Sequence, residues 1–150
     1  MTIRERVHGV LGYYDGILNG VADFHGHPHA FELHGDLDDE VLIYRLAPIS
    51  PETMSQFEEA WGIWLRWEQH LRITSDSTTI PALPQDRSRY AMLKPILDAA
   101  LKVPADSLLL AKGDFVQRPD ADPPCDGRWA LNVEWTYVGP DSHHTVGGTR

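Results

Sequence analysis

Residues 50–73 read SPETMSQFEEAWGIWLRWEQHLRI and hold three of the five tryptophans in the chain. The stretch opens with a helix start signal: Ser50 suits the N-cap, Pro51 the first helical position, and Glu52 the positive end of the helix dipole. At about 100° per residue, Met54, Phe57, Ala60, Trp61, Trp64, Leu65, Trp67 and Leu71 share an arc of roughly 160°. Ser55, Glu59, Gly62 and Arg66 lie opposite. A helix so aromatic on one side requires a large apolar surface beneath it, and a sheet is the natural partner.

Upstream, residues 7–46 read as four short antiparallel strands. Val10–Tyr14 leads through the turn dipeptide Asp15-Gly16 into Leu18–Phe24. His25-Gly26-His27-Pro28 reverses the chain into His29–His34, where Phe31 and Leu33 face one way and Ala30, Glu32 and His34 the other. A polar loop, Gly35–Glu40, precedes the fourth strand, Val41–Leu46. Connections this short force antiparallel pairing.

Downstream, TSDSTTIPALP (74–84) is a linker, and a second helix is expected from about Gln85 to Lys102. Its apolar residues Tyr90, Leu93, Ile96, Leu97, Ala100 and Leu101 fall within roughly 140°, with Pro95 on the opposite face and a kink expected there. Two further strands follow, Ser107–Val116, with Gly113 as a bulge or bend, and Trp129–Val138. In the latter, Trp129, Leu131, Val133, Trp135 and Tyr137 alternate with polar or small residues, making an aromatic floor on which the tryptophan helix is expected to lie. The expected fold is therefore α+β: a mainly antiparallel sheet of about six strands, four N-terminal and two C-terminal, packed against two consecutive amphipathic helices. Residues 1–138 form a single domain, and 139–150 a loose C-terminal tail.

A chain of 150 residues with 42% apolar and 23% charged side chains is ordinary for one globular domain. Its start, MTIRERVHG, lacks the apolar centre of a signal peptide, and its lone cysteine, Cys125, suits a reducing compartment, so a cytoplasmic location is expected. The net charge is −9, of which residues 1–50 contribute 3 basic and 8 acidic side chains. No basic stripe offers a seat to a phosphate backbone or an anionic membrane, which argues against nucleic acid and lipid. A basic protein or a cationic ligand is the electrostatically favoured partner, the competing account being that the acidity only keeps the protein soluble.

Four sets of residues carry candidate chemistry. Asp23-Phe24-His25-Gly26-His27 resembles the Asp-x-His-x-His metal signature of amidohydrolases, but the barrel of that family needs about 250 residues with alternating helices. In a strand, His25 and His27 would point to one side, and with His29 they are the metal candidates, for zinc or nickel rather than calcium. The alternative is a surface hairpin rich in histidine, with no cofactor at all. Glu68 falls inside the apolar arc of the tryptophan helix, where desolvation would raise its pKa and make it the candidate general acid; the competing account pairs it with Arg72, four residues on. The acidic loop Asp36–Glu40 lacks the glycine and final glutamate of a calcium loop, and Cys125 has no neighbouring cation to activate it. The pair His143-His144 falls in the tail. A Gly-rich phosphate loop, a nucleophile elbow, a His-Glu-x-x-His pair and a Cys-x-x-Cys pair are all missing.

Taken as a set, Tyr14-Asp15-Gly16, Gly20-Val21-Ala22, Gly26, Pro28-His29, Phe31, Leu46, Pro48 through Pro51, the tryptophan-rich helix and Pro81-Ala82-Leu83-Pro84 resemble a family of small uncharacterised bacterial proteins over residues 10 to 118. The resemblance implies a bacterial cytoplasmic origin and a single domain, and transfers no functional residue. Three functional expectations follow. The first is a small acidic, non-enzymatic protein-binding module of the immunity-protein kind. The second is an enzyme or small-ligand binder whose pocket lies between the tryptophan helix and the sheet, with Glu68 and a histidine in it. The third is transition-metal binding at His25–His29. A filled interior beside an exposed apolar patch would favour the first, and a deep pocket holding Glu68 the second.

Overall fold

The computed structural model describes residues 2–14, 16–36, 41–74, 80–118 and 130–139. Six strands, β1 (Thr2–Tyr13), β2 (Ile17–Phe24), β3 (His27–Asp36), β4 (Leu42–Pro48), β5 (Leu110–Gln117) and β6 (Leu131–Tyr137), pair in chain order. The sheet then closes on itself through β1 and β6, which run antiparallel from Thr2↔Thr136 to Arg6↔Asn132. The α+β class and the antiparallel strands are as expected; closure into a barrel is the new element. Helices α1 (Pro51–Thr74) and α2 (Arg87–Ala100) are inserted between β4 and β5, with a short 3-10 turn at Pro84–Asp86 leading into α2.

Closure changes which face is which. The inward residues Val7, Ala22, Phe24, Phe31, Tyr44, Leu46, Ala111, Val133 and Trp135 make one buried cluster inside the barrel. At its centre the rings of Phe31, Tyr44, Phe115 and Trp135 meet at centroid separations of 5.4–6.1 Å, mostly edge to face, the geometry that aromatic quadrupoles favour. Small barrels are filled by side chains in this way. Gly113 makes room for two of them: a Cβ there would lie 2.8 Å from Trp135 Cζ3 and 3.1 Å from Tyr44 Cδ1. It sits in a regular ladder with β6, so it is a packing glycine rather than the bulge expected.

The tryptophan helix consequently does not lie on the last strand. Leu131, Val133 and Trp135 point into the barrel, and Trp129 falls outside the described residues. α1 lies instead on the outer wall, over β1 and β2. There Phe57, Trp61 and Ile63 form a second buried cluster with Val21 of β2, Ala82, and Leu93 and Leu97 of α2. The wall is built of small residues at that point: Gly9 pairs with Val21, Val21 pairs with Ala30, and all three are buried. A Cβ on Gly9 would stand 2.5 Å from Phe57 Cζ.

The N-terminus of α1 forms as its residues dictate, with the Ser50 hydroxyl accepting from the Thr53 amide at 3.1 Å. α2 packs along a flank of α1 that the helical wheel left as solvent-facing. The Arg66 guanidinium holds both Asp86 carboxylate oxygens at 3.0 and 3.1 Å, and Arg89 holds Glu59, so the two helices run antiparallel. Between those ion pairs Ile63 is 1% exposed, although it lies outside the predicted apolar arc. α2 buries only Leu93 and Leu97, while Ile96, expected inside, is 41% exposed.

Candidate functional site

The histidine-rich hairpin is a tight two-residue reversal. Phe24 pairs with His27, and the residues between them have φ of 55° (His25) and 78° (Gly26). Two consecutive positive φ values define the hairpin turn whose twist matches the flanking strands. His25 therefore sits on a turn corner and not in a strand beside His27. The Glu5 carboxylate reaches across from β1 and accepts from the His25 and Gly26 amides at 2.7 and 3.2 Å, fastening the turn to the barrel. His29 is buried against Phe24, ring centroids 5.5 Å apart, with Nδ1 2.8 Å from the His27 carbonyl oxygen. Burial pushes its pKa down, against smaller opposing effects that include the bond to that carbonyl. Among the described residues, no group of three or more His, Cys, Asp or Glu side chains is placed to hold a metal ion.

Asp23, the first residue of the metal-like signature, turns to a different partner. Its Oδ1 lies 2.8 Å from His8 Nε2, on the outer wall. Between Val7↔Ala22 and Gly9↔Val21 the β1 strand carries one extra residue, so a bulge at His8 re-aims that ring towards Asp23. This pair is not legible in the sequence, because its two members meet only through a shift in register. Glu68 is half-buried on α1 and does not line the concavity described next. The side chain of Arg72, its expected partner, lies outside the described residues, as do Leu37–Glu40 of the acidic loop, Cys125, His143 and His144.

A concavity lies at one end of the barrel, the end whose connections at 37–40 and 119–129 fall outside the described residues. A concavity of about 300 Å³ is walled by Tyr13, Ile17 and Leu42 and floored by Tyr44 and Phe115, with Gly16, Gly113 and Asp114 completing its rim. The Tyr44 hydroxyl donates to the Ile17 carbonyl at 2.7 Å, and burial holds that phenol well above its ordinary pKa, so it stays neutral. Tyr44 is itself 0% exposed and Phe115 is partly buried, and among the described residues Asp114 is the charged side chain of the lining. Its carboxylate is exposed and lies 3.5 Å from Lys112 Nζ. Beside the mouth, the β1 hairpin exposes Tyr13 (61%) and Tyr14 (81%).

Strands β1, β3 and β5 all finish at this end, and the sequence following each is acidic. Residues 14–16, 37–41 and 118–130 carry Asp15, Asp38, Asp39, Glu40, Asp120, Asp122 and Asp126 against Arg118 and Arg128, which is five of the nine net negative charges of the chain. No described helix is long and apolar enough to cross a membrane. No protein-family model matches the chain, and comparison with curated proteins and with solved structures finds none similar to it.

Proposed function

We propose that the protein is a small acidic binding module that engages a basic protein partner through the end of its barrel where Tyr13 and Tyr14 are exposed. The observation that carries this reading is the coincidence, at one end of the barrel, of exposed tyrosines and a shallow concavity, in a chain of net charge −9. Tyrosine is enriched at protein interfaces, where its ring adds contact area at small entropic cost. The net negative charge attracts a cationic partner and speeds its approach. A filled barrel interior and a concavity without Glu68 or any histidine favour this over the enzymatic alternative.

The test is differential capture from a lysate of the source cell. Wild-type protein and a Tyr13→Ala/Tyr14→Ala variant, verified as folded by circular dichroism, are immobilised at physiological and at raised salt. A basic protein retained by wild type alone, and released as salt rises, is the expected result. Equal retention by both, or retention insensitive to salt, overturns the reading.

A further inference from the structure

We infer that the outer face of α2 is a self-association surface, on which a second copy of the chain seats its own α2 antiparallel about a two-fold axis at Ile96. The contact is separate from the end of the barrel discussed above. α2 buries Leu93 and Leu97 against α1 and the barrel wall. On its opposite side Ala91, Met92, Pro95, Ile96 and Ala99 share an arc of roughly 140°. All five are exposed, Met92 at 49% and Ile96 at 41%, and no charged residue falls within the arc. A surface helix ordinarily turns one apolar stripe to the core and polar residues to water. α2 is apolar on both sides, and the fold covers only one of them.

The charges at the margins of this face choose its occupant. Along one edge Lys94 and Asp98 stand one turn apart, Nζ 3.0 Å from Oδ2, and both side chains are more than half exposed. An antiparallel copy centred on Ile96 reverses the order of that edge, so Lys94 of one copy faces Asp98 of the other, twice over by symmetry. The same register sets Met92 against the small Ala100 and Ile96 against its own counterpart at the axis. Along the other edge the Glu59 carboxylate already holds Arg89 at 2.9 Å. A basic partner fits poorly here, because α2 carries Arg87, Arg89 and Lys94 against Asp98 alone. In a chain of net charge −9, copies meet best where carboxylates are few and each has a cation to face. On α2 the one carboxylate is Asp98, and Lys94 is the cation opposite it.

The test is sedimentation equilibrium of the full chain at concentrations up to about 1 mM, which reaches the weak end of small contacts. Circular dichroism confirms that each variant folds. Wild type is expected to approach a dimer and no larger species, since a two-fold contact is closed. Ile96→Lys, at an exposed position, should raise the dissociation constant by more than about 10-fold. Asp98→Lys and Lys94→Asp should each raise it by about 3–30-fold, because both symmetry-related ion pairs are lost together. An equimolar mixture of the Asp98→Lys and Lys94→Asp proteins should associate at least as tightly as wild type, because an all-lysine edge then faces an all-aspartate edge. That recovery is specific to a second copy seated in the antiparallel register. A monomer at every concentration, whether the face stays free or another part of the same chain covers it, overturns the inference. So does a dimer indifferent to Ile96→Lys, or a mixture no tighter than either variant alone.

Discussion

Substituting Gly9 by alanine tests the seat of the helical layer. The added Cβ would lie 2.5 Å from Phe57 Cζ and 2.9 Å from Trp61 Cδ2, where ordinary carbon contacts are about 3.5–4.0 Å. The rings cannot swing aside cheaply. Phe57 stacks on Trp61 at 6.1 Å and 17°, and Trp61 on Trp64 at 5.0 Å and 15°, so relief at one ring moves the next. Overpacking of this kind costs about 1–3 kcal/mol. Replacing glycine also narrows the unfolded ensemble, which returns about 0.4–1 kcal/mol. The net loss is then about 0–2.6 kcal/mol, or up to about 10 °C in Tm for a chain of this size. Gly62→Ala is the internal control, since the nearest atom to its Cβ is Arg66 Nη1 at 3.5 Å. There alanine should stabilise α1 by about 0.5–1 kcal/mol. Urea unfolding, followed by tryptophan fluorescence and far-UV circular dichroism, reads both variants, with unchanged m-values confirming a simple stability effect. A Gly9→Ala protein stabilised as much as Gly62→Ala would refute the placement of α1 on β1 and β2.

Two other perturbations probe separate parts of the architecture. Ile63→Ala should cost about 2–5 kcal/mol, because the side chain is buried where α1 meets α2; a loss below 1 kcal/mol in the same urea assay would detach α2 from that flank. His29 has a folded-state pKa lowered by burial, so the unfolded chain binds the extra proton first. Its contribution to stability is therefore complete above the unfolded value of about 6.5 and is lost as the pH falls from there towards the lowered folded value. His29→Asn should flatten the stability profile in that window relative to wild type, and an unchanged slope between pH 7 and 5 would remove His29 as its source.

The parts of this fold that were legible in the sequence are those decided within one element. Ser50-Pro51 announced the start of α1, and the alternation through Leu131, Val133 and Trp135 announced β6 and its buried face. Closure was not legible, because it depends on pairing residues more than a hundred positions apart. In β1, moreover, Arg4, Glu5 and Arg6 mask the strand with charge, although Arg4 is what pairs with Glu134 across the seam. A helical wheel assumes one buried face. Ile63 escaped it because α1 is covered on two sides, by the barrel and by α2, and Ile96 because α2 is covered on only one. The mouth was invisible for a related reason: its lining comes from the ends of β1, β2, β4 and β5, and no window of sequence contains it.

One extra residue in β1 links these observations. Without the bulge at His8, strict alternation from inward Val7 would turn Gly9 into the barrel and leave Val10 outside. With it, His8 and Gly9 both face outward: the ring of His8 meets Asp23, and the bare backbone at Gly9 receives Phe57 and Trp61. The bulge therefore fixes where the helices lie, on the side wall midway along β1 and β2. Beyond that seat, at the end of β1, Tyr13 and Tyr14 are exposed. A shift of β1 by one residue would bury His8 in the barrel and remove the seat of α1 together. The seat of the helical layer thus depends on a register choice made in the first ten residues.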